Sequence, residues 1–287
     1  MGTDINKREC VPSINFLNSF HEVPYSTDSK YYQCIIDICK KENIDYLLPS
    51  LDIDQKLFYP ENPDLKNLNI KSLSTPKTSL DFYSNKIKIF EFLKQNQFIA
   101  PVTYKSGELA LNKEYFVKPV YGYGSANAKV LTGQAIRNLN NIDDYIIQEI
   151  CSFPEITLEC FYKNGELATV ARERLDVKSG VCTKAKIYAN RDLHVIAYKF
   201  AQSAVLPMFF NLQFMKNSKN EFVITDVNLR LAAGTSMSAK AGWDVVSAVL
   251  DAIAGKTHSQ IFANFNLNFK TQYVTRVYED IITGKLE

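Results

Sequence analysis

Two consecutive predicted strands carry polar side chains suited to holding a metal ion. Gln213 and Asp226 are equidistant from the centre of the intervening loop at Lys219 and Asn220, so a hairpin would set them opposite each other. Asp226 and Asn228 share one face because side chains alternate along a strand. Oxygen ligands that include a carboxylate suit Mg²⁺, which completes its coordination with nucleotide phosphates and water. The pattern predicts a magnesium site, and a solvated hairpin edge is the alternative interpretation.

Arg230 follows Asn228 by two residues. If the strand continues that far, the guanidinium group lies on the same face as Asp226 and Asn228. A guanidinium group binds phosphate through paired, planar hydrogen bonds. We therefore predict that Arg230 provides a phosphate contact beside the metal ligands.

A second signal is a predicted strand with a lysine on one face, followed by a loop with two glycines. Lys118 lies in the strand, and the loop residues of interest are Tyr121, Gly122, Gly124 and Ser125. Glycines let backbone N–H groups approach phosphate oxygens, and a lysine adds a compact positive charge. The spacing is neither a Walker A motif nor a Rossmann fingerprint. Because glycines are common where strands turn, both a phosphate-binding loop and an ordinary turn remain open.

The third signal is a group of polar residues, most of them acidic. Gln148 and Glu149 precede a predicted strand in which Glu155, Thr157 and Glu159 point to one face. The intervening Ile156, Leu158 and Cys160 then point into the core. In isolation, this pattern favours a half-buried strand with a solvated acidic face over a functional role.

The first 80 residues have the pattern of an α/β unit. Apolar residues recur at helical spacing in Tyr32–Asn43, and short apolar runs at Ile44–Leu48 and Ile70–Leu73 predict strands. The polar stretch with Pro60, Pro63 and Pro76 predicts loops. Met1–Arg8 is too polar for the opening strand of a doubly wound domain. We therefore expect this unit to be short by one strand–helix element.

The remaining chain predicts mainly antiparallel sheet with a few helices. Ile87, Phe90 and Leu93 mark a helix that ends before Pro101. Asn-Gly at 164–165 favours a tight hairpin turn, and a second hairpin is expected around residues 217–220. The predicted strands cover residues 115–120, 129–131, 145–150, 156–162, 167–174, 209–214 and 222–227. Further helices are expected over residues 192–204 and 243–254, and alternating Asn and Phe at 264–269 predict a closing strand.

Composition restricts the class of protein. The 287 residues are 46% hydrophobic and 22% charged, which fits roughly two globular domains. The net charge of +2 is spread along the chain, so nucleic acid is not an expected partner. Six cysteines without a CxxC pair and only three histidines argue against a zinc site or a disulfide framework. No stretch approaches the length of a membrane span, and a cytoplasmic location without membrane partners is expected.

The order and spacing of these signals resemble the ATP-grasp superfamily, most closely proteins similar to the synthetase domains of the carbamoyl-phosphate synthetase large subunit. The resemblance covers about residues 20–256. It implies an α/β and α+β chain, with a partial pre-ATP-grasp α/β domain over residues 1–80 and an ATP-grasp domain over residues 81–287. Within the latter, a small nucleotide-binding subdomain would span about residues 113–150, and a larger metal- and substrate-binding part about residues 151–287.

The resemblance also implies roles for individual residues. Lys86 matches a phosphate-contacting cation at the start of a helix, and Lys118 matches a second one with a catalytic role. The other implied nucleotide contacts are the glycine loop, the adenine hinge and the ribose-binding acid, namely Tyr121, Gly122, Gly124, Ser125, Gln148, Glu149, Ile150 and Glu155. Gln213, Asp226 and Asn228 match the metal ligands.

Three further matches concern the acceptor side of the implied site. Arg230 matches the catalytic arginine that faces the reacting phosphoryl group, and residues 234–242 match a segment that shapes the acceptor pocket. Arg174, in a basic lid strand that begins at Arg172, is expected to contact the acceptor or a phosphate. The sequence departs from the family pattern in having Asp226 where Glu is usual and Ala-Asn-Ala at 126–128 in place of a more glycine-rich loop end.

The implied activity is that of an ADP-forming ligase. It would use ATP with Mg²⁺ or Mn²⁺ to activate a carboxylate as an acyl phosphate, which an amine or thiol then attacks. A step on bicarbonate, as in carbamoyl-phosphate synthetase, is one alternative. A catalytically silent nucleotide-binding or assembly module is another, because the N-terminal domain is short. The expected partners are small-molecule carboxylates and amines, and a homodimer is left open.

Overall fold

The computed structural model describes residues 1–122, 127–178, 180–265 and 270–283. These residues divide into two compact units. The first unit runs from Met1 to Lys77 and includes the C-terminal segment that begins at Val277. The second unit runs from Thr78 to Arg276 and contains every predicted site residue. In the described ranges, no helix has the length and apolar character needed to cross a bilayer.

The first unit contains two pairs of short parallel strands. β1 (Gly2–Asp4) pairs with β2 (Phe20–Glu22), and after helix α1 (Tyr31–Lys41), β3 (Tyr46–Leu47) pairs with the later β4 (Lys71–Ser72). Two further helices lie between β3 and β4, α2 (Asp52–Leu57) and α3 (Pro63–Asn67). One face of α1 packs into a core that also contains Phe58, Leu65 and Ile70.

Two expectations for the first unit are wrong. Gly2–Asp4 does form a strand, because backbone pairing with β2 does not require apolar side chains. The proline-containing stretch forms helices as well as loops, because polar residues cap them. Asn62 accepts hydrogen bonds from the backbone N–H groups of Asp64 and Leu65, and Pro63 occupies the first helical position, where its missing N–H costs nothing.

The second unit begins with two helices and a four-stranded antiparallel sheet, here called the small sheet. Helix α4 (Lys77–Tyr83) crosses the unit boundary, and α5 (Lys86–Gln95) follows it. The small sheet has the order β5-β8-β6-β7. Its strands and the helix inserted after β7 are β5 (Thr103–Tyr104), β6 (Glu114–Pro119), β7 (Lys129–Thr132), α6 (Gly133–Arg137) and β8 (Tyr145–Gln148).

A six-stranded antiparallel sheet, here called the large sheet, forms the rest of the second unit. Its order is β13-β12-β9-β10-β11-β14. The strands are β9 (Ser152–Lys163), β10 (Glu166–Lys178), β11 (Val181–Tyr188), β12 (Phe209–Lys216), β13 (Phe222–Asn228) and β14 (Gln272–Thr275). Helix α7 (Arg191–Ser203) connects β11 to β12, and α8 (Thr235–Lys240), α9 (Val245–Ile253) and α10 (His258–Phe262) follow β13.

One face of the large sheet is apolar and packs against α5 and α7. Ile156, Leu158 and Cys160 on β9 join Leu212 and Phe214 on β12 in this core, as their alternation predicted. Phe200 of α7 lies in its centre and makes aromatic contacts with Tyr83, Phe92, Phe98 and Phe210. Burial on this face leaves the opposite face of the same strands for polar residues.

The sequence predictions for the second unit are partly confirmed. Both hairpins form, and Asn164 and Gly165 have φ values of 52° and 85°, as a tight primed turn requires. Helix α5 buries Ile89, Phe90 and Leu93, whereas Ile87 is 40% exposed. The sequence did not predict β11, α8 or α10. The closing strand is β14, further along the chain than predicted, and residues 266–269 of the predicted strand lie outside the described residues.

We expect Phe200→Ala to lower the free energy of unfolding by about 3–5 kcal/mol, because it removes a fully buried aromatic side chain and leaves a cavity. Val195→Ala on the same helix is the matched control, since Val195 is 59% exposed. Urea denaturation of both variants measures the difference. A Phe200→Ala variant as stable as Val195→Ala would contradict this assignment of the core.

Candidate functional site

The predicted metal ligands lie on the two strands at one edge of the large sheet. Gln213 on β12 is directly opposite Asp226 on β13, and Asn211 is directly opposite Asn228. Asp226 and Asn228 are partly buried, as is Gln213. The Asn228 Nδ2 group donates to Asn211 Oδ1 at 3.3 Å. The Asn228 Oδ1 atom takes no part in this contact. The structure thus brings together one carboxylate and two amide side chains on one face.

The same polar face extends across β9 and β10. Thr157 pairs with Gln213 on one side and with Arg172 on the other, so Asp226, Gln213, Thr157 and Arg172 form one row across four strands. Glu159 lies in the next row, opposite Asn211. The alternative interpretation of a solvated acidic face is wrong here, because Thr157 and Glu159 are each only 3% exposed.

Arg230 lies beyond the strand that carries the metal-ligand candidates. β13 ends at Asn228, so the condition under which Arg230 would share the strand face is not met. Its backbone carbonyl accepts a hydrogen bond from Asn211 Nδ2 at 2.9 Å, and its own Nη1 group donates to the Leu231 carbonyl at 3.2 Å. Asn211 therefore connects Asn228 to the backbone of Arg230 through one buried amide.

Lys118 on β6 of the small sheet reaches β13 of the large sheet. The Lys118 Nζ group donates to the Thr225 carbonyl at 2.8 Å and lies 4.8 Å from the centre of the Phe90 ring. The pKa of Lys118 is lowered to about 8, mainly because burial disfavours the charged amine; the negative charge of Asp226 acts in the opposite direction, and nearby Lys86 adds to the lowering. The two predicted cations and the predicted metal-ligand carboxylate are thus electrostatically coupled.

Lys86 lies at the start of α5, where it is held close to the predicted phosphate loop. Its backbone N–H donates to the Val120 carbonyl at 3.1 Å, and its Nζ group donates to the Gly122 carbonyl at 2.9 Å. The side chain of Asn85 caps the helix and also donates to the Tyr121 hydroxyl group at 2.9 Å. Gly124 and Ser125 of the predicted loop lie outside the described residues.

The predicted adenine hinge follows the end of β8. Gln148 is 1% exposed, and its Nε2 group donates to Thr103 Oγ1 at 3.3 Å. Glu149 holds Val102 through both its backbone N–H and its carboxylate, each at 2.9 Å. Ile150 is 45% exposed. The first two residues therefore bind neighbouring protein groups through their side chains, whereas Ile150 lies at the surface.

Glu155 and Arg174, predicted separately as a ribose and a lid contact, form an ion pair with each other. The Nη2 group of Arg174 also donates to the Gly180 carbonyl at 3.1 Å, at the turn between β10 and β11. Both side chains are partly exposed. A ligand at this position would meet the ion pair, not an isolated charge.

Sequence reasoning missed the group of side chains around Glu159. Arg172, Thr235 and Ser238 all donate to its carboxylate, and all four residues are buried. The alternation of β9 did indicate that Glu159 shares a face with Glu155, but no local signal linked it to a helix more than 70 residues later in the chain. A small, solvent-open cavity lies beside this group and is lined by Glu159, Asn211, Arg230, Thr235 and Trp243, among others.

The donor set restricts the ions that this face would hold. In the described parts of the chain, no cluster of three or more His, Cys, Asp or Glu side chains is arranged for a metal ion. Asp226 with the amides of Gln213 and Asn228 offers oxygen atoms and a single carboxylate. Such a set fits Mg²⁺ or Mn²⁺ when a polyanionic ligand supplies further oxygens. This set contains none of the Cys or His ligands on which structural zinc sites are built.

Comparison with known families gives one match, to the family described as ATP-grasp in the biosynthetic pathway with Ter operon. The match covers residues 141–277, just under half of the chain, and includes the large sheet. No curated protein matches the chain.

Solved structures match over most of the chain. The biotin carboxylase domain of 2-oxoglutarate carboxylase from Hydrogenobacter thermophilus is 11% identical, with a TM-score of 0.69 over 85% of this chain and 62% of that one. Biotin carboxylase from Campylobacter jejuni is 13% identical, with a TM-score of 0.69 over 89% and 65%. L-amino acid ligase from Bacillus licheniformis is 15% identical, with a TM-score of 0.64 over 88% and 66%. The chain thus spans less than two thirds of each, and the likeness concerns the fold.

We expect the side-chain amine of Lys118 to titrate with a pKa of about 8, and Asp226→Asn to lower that pKa because it removes a neighbouring negative charge. The measurement is the ¹³Cε shift of Lys118 as a function of pH, with Lys118→Arg used to identify the signal. Asp192→Asn, an exposed change at the start of α7, is the control and should leave the pKa unchanged. If the pKa of Lys118 is the same in Asp226→Asn and Asp192→Asn, Asp226 does not face the amine.

Proposed function

We propose, from the ATP-grasp fold that this chain adopts, that it is an ADP-forming ligase which activates a carboxylate as an acyl phosphate. The resemblance to ATP-grasp proteins is confirmed by the family match and by the solved structures. The closer likeness to the synthetase domains of carbamoyl-phosphate synthetase stays a prediction. The observation that carries the proposal is the buried Lys118 amine beside Asp226, on the strand that also bears Asn228 and faces Gln213.

Asp226, Gln213 and Asn228 would hold the metal ion. Their oxygens lie on one sheet face, and the contact from Asn228 Nδ2 to Asn211 orients the amide so that its oxygen is the free end. When bound there, Mg²⁺ would supply positive charge that neutralises part of the charge of the nucleotide phosphates. With only one carboxylate in the set, the phosphates themselves complete the site, so metal and nucleotide should bind together.

Lys118, Lys86 and Arg230 would supply the positive charge that phosphoryl transfer requires. Such transfer depends on positioning and electrostatic stabilisation more than on a covalent nucleophile. Burial of Lys118 in an apolar setting strengthens its attraction for a phosphate oxygen, because less water screens the charge. Tyr121 and Gly122, held by Asn85 and Lys86, would form the near side of the phosphate site.

Glu155, Arg174 and the hinge after β8 would bind the nucleoside. The exposed Ile150 would offer its backbone to an adenine edge, while buried Gln148 and partly buried Glu149 fix the hinge from behind. A ribose hydroxyl group would share Glu155 with Arg174, since carboxylate oxygens accept more than one hydrogen bond. Gly124 and Ser125 are proposed as further phosphate contacts from the sequence alone.

The proposed reaction proceeds in two steps. A carboxylate oxygen of the substrate attacks the γ-phosphorus of ATP, and the bond to ADP breaks. An amine or thiol then attacks the acyl carbon, phosphate leaves with the bonding electrons, and the nucleophile loses a proton.

The neighbours support the proposal in general terms. The Hydrogenobacter carboxylase domain was solved with MgADP and bicarbonate, and the Bacillus protein is an L-amino acid ligase. Both proteins share the fold with this chain at 11–15% identity, so they support a nucleotide, a divalent cation and a carboxylate-type substrate as classes. Small molecules, without nucleic acid or membrane, are the partners that such a reaction needs.

Activation of bicarbonate is the second candidate function, and the bicarbonate in the Hydrogenobacter structure favours it. A panel of carboxylates and amines with MgATP distinguishes the two reactions. If the chain is a ligase, phosphate release should depend on both substrates. The product should have the summed mass of the two substrates less one water. Bicarbonate activation predicts release that needs bicarbonate and does not respond to a second carboxylate. Nucleotide binding without ADP under every condition would instead identify a catalytically silent module.

We expect Asp226→Asn and Lys118→Ala each to lower ATP turnover by at least about 100-fold, since each removes a charge from the site of phosphoryl transfer. Lys94→Ala, an exposed change on α5, is the control and should retain full turnover. Circular dichroism and thermal unfolding verify that the variants are folded. Unchanged turnover in both site variants would defeat the site assignment.

We expect the affinity for MgATP to fall as pH rises through about 8. The pKa of Lys118 is lowered to about 8, so its amine is charged below that pH and neutral above it. Above pH 8 the dissociation constant should rise by up to about tenfold per pH unit, because binding must first protonate the amine. Titration calorimetry from pH 7 to 9.5 measures this change. Lys118→Arg, which stays protonated, should remove the pH dependence, and an unchanged slope would contradict the phosphate role.

A further inference from the structure

Glu159 is a buried carboxylate that accepts hydrogen bonds from two different parts of the second unit. The Nε group of Arg172 on β10 donates to Oε1 at 3.0 Å. The hydroxyl groups of Thr235 and Ser238 on α8 donate to Oε2 at 2.7 Å and to Oε1 at 2.6 Å. Glu159 therefore ties the first turn of α8 to the middle of the large sheet.

Arg230 lies in the stretch of chain that connects β13 to α8. We call residues 229–238, which comprise this stretch and the start of α8, the arginine segment. Its beginning is fixed by Asn211, which donates to the Arg230 carbonyl at 2.9 Å. Its middle is fixed by Arg276, which donates to the Ala233 carbonyl at 2.6 Å, and its end is fixed by Glu159 through Thr235. Every anchor comes from a strand of the large sheet or from the residue that follows one.

Gly234 shows how closely the arginine segment packs on the ion pair. A Cβ atom at this position would overlap the guanidinium group of Arg172, so any side chain would displace either the segment or the guanidinium. The Arg172 side chain is itself only 3% exposed. The segment thus rests directly on the cation that Glu159 holds.

Stability alone does not explain why an ion pair, Glu159 with Arg172, occupies this buried position. Removing two charges from water is costly, and apolar residues of similar volume often give equal or greater stability in such positions. What a buried, multiply bonded carboxylate provides is one preferred geometry for the groups bonded to it. Here those groups include Thr235, which lies in the arginine segment and lines the cavity beside Arg230.

We propose that Glu159 is a positioning residue that holds the arginine segment through Thr235 and Ser238, and so keeps Arg230 where it faces the transferring phosphoryl group. This inference rests on the proposed ligase function. It predicts that weakening the contact slows phosphoryl transfer, because a displacement of about 1 Å at a reacting group can cost on the order of 100-fold in rate. The nucleotide contacts proposed on β6, α5 and β13 should remain.

The test compares two substitutions at one position. Thr235→Val removes the hydroxyl group that bonds Glu159 and keeps the branched shape, whereas Thr235→Ser keeps the hydroxyl group and removes the methyl group. We expect Thr235→Val to lower kcat for ADP formation by about 10- to 100-fold with KM for ATP within about twofold of wild type. Thr235→Ser should keep kcat within about threefold, and both variants should have similar thermal midpoints.

Two kinetic results would overturn the proposal. Equal kcat in Thr235→Val and wild type would show that the bond to Glu159 does not matter for the reaction. Equal loss in Thr235→Val and Thr235→Ser would show that the methyl group, through packing, is responsible instead of the hydroxyl group.

A failure of the proposed function is distinguishable, because it appears in the wild-type chain as MgATP binding without ADP formation on any substrate. Amide hydrogen exchange across residues 229–238 then decides the positioning role without reference to activity. Faster exchange in Thr235→Val than in Thr235→Ser supports it, and equal exchange overturns it.

Discussion

The site depends on one buried hydrogen bond, from the Lys118 amine to the Thr225 carbonyl. It joins β6 of the small sheet to β13 of the large sheet, and it does so with a charged group that burial disfavours. The lowered pKa of Lys118 reflects that cost, and Asp226 offsets part of it. A phosphate oxygen placed here would offset more. An anionic ligand would therefore lower the free-energy cost of burying the charged Lys118 amine.

Because side chains alternate along its strands, the large sheet has one face that forms the core and an opposite face that carries the candidate site residues. One face of β9 and β12 is buried against α5 and α7 in a continuous apolar core. The opposite face carries carboxylates, amides and guanidinium groups in rows set by strand register. A shift by one residue would exchange the two faces, so the core fixes the register and the register fixes the site. The chemistry is thus held in place by burial on the other side of the same strands.

The sequence was informative wherever a signal is local. Helical periodicity gave α1, α5 and α7, and the turn at Asn164 and Gly165 gave the first hairpin. Local signals did not give β14, which exists because the edge of β11 pairs with it. They did not show that Glu159 is buried either, because an acid in an alternating strand looks the same whether water or α8 covers it. Order and spacing predicted site candidates, while their surroundings depend on tertiary contacts.

Arg230 illustrates what this difference means for function. Its position in the sequence, two residues after Asn228, suggested a strand residue, but β13 ends before it and the arginine lies on a connecting segment. A segment without strand pairing has no register of its own, so its geometry must be imposed by side chains from elsewhere. Asn211 and Glu159 do this from paired positions on β12 and β9. An electrostatic mechanism is only as accurate as the placement of its charges, so these buried polar anchors matter as much as the charge that they place.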